Sequence, residues 1–139
     1  MSEPVRAVID TNLLVRFLTG DDPVKAADVK RLLLKAEEGS VRLLIPAVVI
    51  AELVWVLQSF YKLDRGEIVP LLNAIVHTRG VEVGDRAIVS EAVSLYRDST
   101  IDFIDAWIVA YARQAGVRFV YTFDRKHFKG VEGVEMMHP

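Results

Sequence analysis

Five acidic residues, Asp10, Glu52, Asp102, Asp105 and Asp124, stand at positions from which a fold could gather them. Three or four carboxylates in one crevice repel one another and push their pKa values upward unless cations neutralise them. Hard oxygen donors of this kind suit Mg²⁺ or Mn²⁺. Such a site lowers the pKa of bound water and offsets charge on a phosphodiester, so hydrolysis of a nucleic-acid backbone is the reaction it would run. Rival chemistries lack their residues: there is no cysteine, no Walker loop, no GxGxxG run and no Ser-His-Asp order, and the three histidines are scattered. Each acid also has a structural reading. Asp10 or Thr11 could cap a helix, Glu52 could lie on an exposed helical stripe, one of Asp102 and Asp105 could be an N-cap, and Asp124 could close an Asx-turn.

The elements that position these acids follow from local signals. Val5 to Ile9 reads as a buried strand that delivers Asp10 to the carboxyl edge of a sheet, where α/β proteins bind ligands. A short helix through Leu18 follows, stopped at Gly20, and Asp22-Pro23 starts a second helix that ends at Gly39. Val41 to Ile45 is a second buried strand, parallel to the first, and Pro46 opens a nearly all-apolar helix to about Tyr61. Glu52 is the only charge in that helix, and an ionised carboxylate among apolar neighbours is expensive unless paired or metal-bound. Asp64-Arg65-Gly66-Glu67 has the form of a capping box for a fourth helix, in which Pro70 is tolerable only near the first turn or at a kink. Val81 to Val83 is a short strand, and Asp85 is placed to cap a fifth helix to about Arg97. His77, at a helix end, reads as structural. Asp102 and Asp105, three apart, share a face at the start of a sixth helix, where the dipole favours negative charge. Arg118 to Tyr121 forms another buried strand with Asp124 beyond it, and Val134 to Met136 adds an edge strand.

Strands alternating with helices imply an α/β three-layer sandwich, with a mostly parallel central sheet of four to five strands flanked by helices. At 139 residues the chain fits a single domain, 1–139. Hydrophobic residues make up 52% of it, yet no apolar run approaches the ~20 residues that cross a bilayer, and a cytoplasmic protein with no membrane contact is expected. With 17 basic and 19 acidic residues, total charge does not decide for or against a polyanionic partner.

The chain resembles the PIN-domain ribonucleases of the VapC toxin type. The resemblance rests on Val8-Ile9-Asp10-Thr11-Asn12, Ala51-Glu52-Leu53, Asp102-Phe103-Ile104-Asp105-Ala106 and Tyr121-Thr122-Phe123-Asp124-Arg125-Lys126-His127-Phe128, in order along nearly the whole length. No one of these motifs is specific; together they are. The resemblance implies that Asp10, Glu52 and Asp105 are the core metal acids, Asp124 the fourth and Asp102 an auxiliary one. It implies a Mg²⁺- or Mn²⁺-dependent endoribonuclease, the toxin of a toxin-antitoxin pair, held inactive by a cognate VapB-like antitoxin and usually a homodimer. Asn12 and Thr122 could orient the acids as hydrogen-bonding supports. Arg16, Arg125 and Lys126 could hold RNA phosphates. Leu14, Phe17, Trp55 and Phe60 are apolar residues that would suit a partner, or else the core. Two other readings stay open: a non-catalytic RNA- or protein-binding module, and an aspartyl-nucleophile phosphatase, which needs a second Asp where this chain has Asn12. A receiver-like phospho-switch lacks the expected Lys.

Overall fold

The computed structural model describes residues 3–128 and 130–139, with Arg125 described by its backbone alone. It resolves into two compact units, Met1–Arg86 and Ala87–Pro139, each taken on its own below.

In the first unit, β1 (Val5–Val8), β2 (Val41–Ile45) and β3 (Val81–Val83) form a parallel sheet in that order. Val8 stands opposite Leu44 and Ile45 opposite Val83. All three strands therefore run the same way, and β1 and β2 lead directly into α1 (Thr11–Thr19) and α3 (Ala47–Ser59). The remaining helices are α2 (Pro23–Glu38) and α4 (Arg65–Val76). Leu14, Leu43, Ile45, Ile50, Leu53, Leu57, Ile68 and Leu72 are buried, which places the apolar stripes of α1, α3 and α4 and the centre of β2 in the core.

Local chemistry sets the helix ends. Asp22 accepts from the Lys25 amide with Pro23 in the first turn, and Gly39 closes α2 at φ +89°. Asp64 and Glu67 form the expected reciprocal capping box of α4. Pro70 lies inside α4, beyond its first turn. Two expectations are corrected. The opening strand is not buried: Val5 and Val8 are exposed, because β1 is an edge strand paired only with β2. Asp85 has a left-handed φ of 52°, whereas a capping residue is extended, so it does not serve as the ordinary N-cap of α5 (Arg86–Asp98).

The second unit holds most of α5, then α6 (Phe103–Gln114), β4 (Phe119–Tyr121), a 3₁₀ turn at Arg125–Phe128 and β5 (Glu135–Met137). Tyr96 of α5 meets Phe103 of α6 edge-on at 5.8 Å, both rings buried. β4 and β5 pair in parallel as a separate two-stranded sheet. Among the described residues the strands are thus five, paired as three and two. Having a single partner also leaves β4 open, so Phe119 and Tyr121 are exposed where a buried strand was expected. Among the described residues no helix is long and apolar enough to cross a membrane.

Candidate active site

In the first unit β1 ends at Val8, two residues before Asp10, the N-cap of α1. Its Oδ1 accepts the amides of Asn12 at 3.1 Å and Leu13 at 3.4 Å. Of the two capping candidates, Asp10 and Thr11, the Asp10 carboxylate does the capping, because Thr11 is already the first helical residue. Among the described residues Oδ2 has no protein partner. One oxygen fixes the side chain and the other stays open to a ligand, so the capping and metal-binding readings of Asp10 do not compete. Asn12 supports Asp10 through its backbone N–H, not through its side-chain amide as expected.

Glu52 is exposed, on the α3 face that also presents Val48 and Trp55 to solvent. The spacing i, i+4, i+7 puts these three on one stripe, so the carboxylate has apolar neighbours but faces water and bears no burial cost. It borders a cavity of about 230 Å³ that Asn12, Arg16 and Phe60 also line. Arg16, expected to face RNA phosphates, instead donates from Nη1 to both oxygens of Asp21, at 3.1 and 3.0 Å. The Tyr61 hydroxyl donates to the same carboxylate at 2.5 Å and Thr19 does so at 3.1 Å. The Tyr61 bond foremost, with help from Arg16 and Thr19, holds Asp21 below the usual carboxylate range, while Asp21 raises the Arg16 pKa. Among the described residues Arg16 Nε, which is buried, has no hydrogen-bond partner. Leu14 is buried as core, whereas Trp55 and Phe60 are exposed.

In the second unit Asp102 has the extended conformation of an N-cap at the head of α6, but its carboxylate makes no capping bond. Asp105 sits in the first turn of α6 and is half-buried. Thr122 Oγ1 accepts the Asp124 amide at 3.1 Å, which turns the chain beyond β4 rather than binding a carboxylate. Sequence reasoning missed the next residue in the site. His127 places Nε2 3.1 Å from Asp124 Oδ2 and Nδ1 3.9 Å from Asp105 Oδ2. The signal was present as Asp124 and His127 three apart, the separation at which a 3₁₀ turn aligns side chains. Lys126 is exposed, and the side chain of Arg125 lies outside the described residues. His77, read as structural, accordingly contacts the Asn73 carbonyl of its own helix.

Burial is the main force raising the Asp105 pKa; Asp102 and Asp124 add to it, and His127 opposes them. The rise thus reflects burial first and the neighbouring acids second. Among the described residues no three His, Asp or Glu side chains are gathered at metal-ligand spacing. In each unit by itself the donor type nevertheless suits a hard divalent cation: a carboxylate oxygen left open at Asp10 in the first, and the carboxylates of Asp105 and Asp124 in the second.

Comparison with known proteins adds three findings. The PIN domain family model matches residues 7–134. The chain is 27% identical over 122 residues to a VapC ribonuclease of Aquifex aeolicus (strain VF5), covering 88% of this chain and 90% of that protein. It is also similar to a chain of a solved toxin-antitoxin complex from Klebsiella pneumoniae, at 21% identity and a TM-score of 0.34, covering 93% of this chain and 95% of that one.

Proposed function

Because the chain belongs to the PIN-domain family, we propose that it is a Mg²⁺- or Mn²⁺-dependent endoribonuclease acting as the toxin of a toxin-antitoxin pair in the cytoplasm. The observation that carries the reading is the grouping, in the second unit, of half-buried Asp105 and of Asp124 about the ring of His127. Sequence similarity to a VapC ribonuclease supports RNA as the substrate. Asp10, Glu52, Asp105 and Asp124 are the proposed metal-holding acids, with Asp102 auxiliary. When bound, the cation supplies a water of lowered pKa and offsets charge on the phosphodiester oxygens.

The chain's own groups then have definite tasks. Asp10 is fixed through Oδ1 by two amides and presents Oδ2. His127 orients Asp124, and Thr122 sets the backbone from which Asp124 projects. Lys126 and Arg125 are retained as phosphate contacts. Arg16 is not, since Asp21 already offsets its charge. Exposed Trp55 and Phe60 are apolar surface available to an antitoxin or to a second copy in a homodimer. A phosphatase reading is disfavoured because Asn12, where a second acid would be needed, is the second residue of α1.

The test uses purified protein and single-stranded RNA. Cleavage should stop with a chelator, return with Mg²⁺ or Mn²⁺, and fall by about 10²-fold or more in Asp105→Asn. Undiminished cleavage in that variant overturns the assignment. Binding of RNA with no cleavage under any divalent cation points to the non-catalytic module instead.

A further inference from the structure

The cavity beside Glu52 is lined by groups that do not suit a phosphate. Asp21 offsets the charge of Arg16, and Glu52 contributes a negative charge to the same wall. Arg16 commits Nη1 to Asp21, while its guanidinium borders the cavity. Asn12 brings an amide that both donates and accepts. The rest of the lining includes Val56, Phe60 and Tyr61. Phe60 follows the end of α3 and is 75% exposed, so a large aromatic ring is held in water at the rim. Tyr61 meets it edge-on at 5.0 Å and is itself anchored through its hydroxyl to Asp21. A neutral, flat group with a hydrogen-bonding edge satisfies this combination, and unpaired RNA bases are bound in just such settings, stacked on an aromatic ring and read along their edges.

We propose that this cavity is a nucleobase subsite that takes one unpaired base of an RNA strand beside Glu52, stacked on Phe60 with its edge toward Asn12 and Arg16. The proposal rests on the ribonuclease reading above, and its test separates the two. An apolar side chain of a protein partner would offer nothing to the polar groups of Asn12 and Glu52, whereas a base engages such groups.

Two measurements on the full chain decide it. First, binding of short single-stranded oligoribonucleotides carrying 2-aminopurine is followed by fluorescence in the Asp105→Asn protein, which needs no cleavage. Stacking should quench the probe, and adding Phe60→Leu, which keeps apolar bulk at an exposed site, should weaken binding roughly 5- to 100-fold. Second, in otherwise unaltered protein, Phe60→Leu should raise KM with kcat within about 3-fold, and the effect should vanish on a substrate abasic at the base beside the cleaved bond. Asn12→Ala should change the ranking of the four bases at that position. The proposal is overturned if Phe60→Leu leaves quenching and KM unchanged, if the abasic substrate is cleaved equally well by unaltered protein, or if the substitution impairs only protein association. Quenching in the variant together with an unaltered protein that cleaves no RNA under any divalent cation would sustain the subsite and sink the nuclease assignment.

Discussion

Alanine at Gly80 should destabilise the first unit well beyond alanine at Gly39, although both glycines have left-handed φ angles, +84° and +89°. The conformational cost of a Cβ at such an angle is about 1–2 kcal/mol at either position. At Gly39 nothing lies within 4 Å of the new Cβ, so the cost ends there. At Gly80 the Cβ would stand 2.2 Å from the Ala36 carbonyl oxygen and 2.5 Å from its carbon. Those are backbone atoms in the last turn of α2 and cannot swing aside. The Gly80 carbonyl also accepts the Leu43 amide at 2.9 Å, so moving residue 80 instead disturbs β2. Overpacking of this kind adds about 1–3 kcal/mol, giving about 2–5 kcal/mol at Gly80 against a whole-domain stability of about 5–15. For a chain of this length, each kcal/mol lowers Tm by roughly 3–5 °C. Thermal unfolding followed by circular dichroism should therefore show a Gly39→Ala loss of roughly 5 °C and a Gly80→Ala loss of roughly 10–15 °C. Ala36→Gly in the Gly80→Ala background should rescue only part of the loss, because the two nearest atoms are not the Ala36 methyl. Equal losses at the two glycines, or complete rescue, would refute the steric argument.

Three further outcomes are expected. Asp10→Asn keeps a capping oxygen while Asp10→Ala does not, so only the alanine variant should lose about 0.5–2 kcal/mol of stability, with RNA cleavage lost in both; a matched Tm in the two variants would show that the cap contributes nothing. His127→Ala should weaken Mn²⁺ binding and cleavage roughly 10- to 100-fold by releasing Asp124, as read by calorimetric titration alongside the RNA assay; unchanged Mn²⁺ affinity would remove its positioning role. Acid unfolding should respond to Tyr61. With Asp21 depressed below its ordinary 3.8, the stability it contributes is complete above that value and disappears as pH falls through the folded-state value. Tyr61→Phe removes the foremost cause of the depression, so the acid midpoint should move to higher pH, and an unmoved midpoint would argue against the Asp21 hub.

The local sequence determined most of what it takes to make the elements. Asp22-Pro23, the Asp64–Glu67 box and Gly39 act within one helical turn of themselves, so their ends were readable without knowing the fold. Strand-helix alternation likewise carried the parallel pairing of β1, β2 and β3, and the four motifs carried the family. What each side chain does in its surroundings was settled only by tertiary structure. Whether β1 and β4 are covered depends on how many neighbours they pair with, not on their own residues. Glu52 is bathed in water because the helix turns its 48-52-55 stripe outward. Arg16 is claimed by Asp21 in a network completed by Tyr61, which lies 40 residues further along than Asp21. His127 reaches Asp124 through a local turn, but it meets Asp105 only because the fold brings the start of α6 to that turn. An acid's presence is a fact of sequence; its charge balance is a sum over neighbours that chain folding selects.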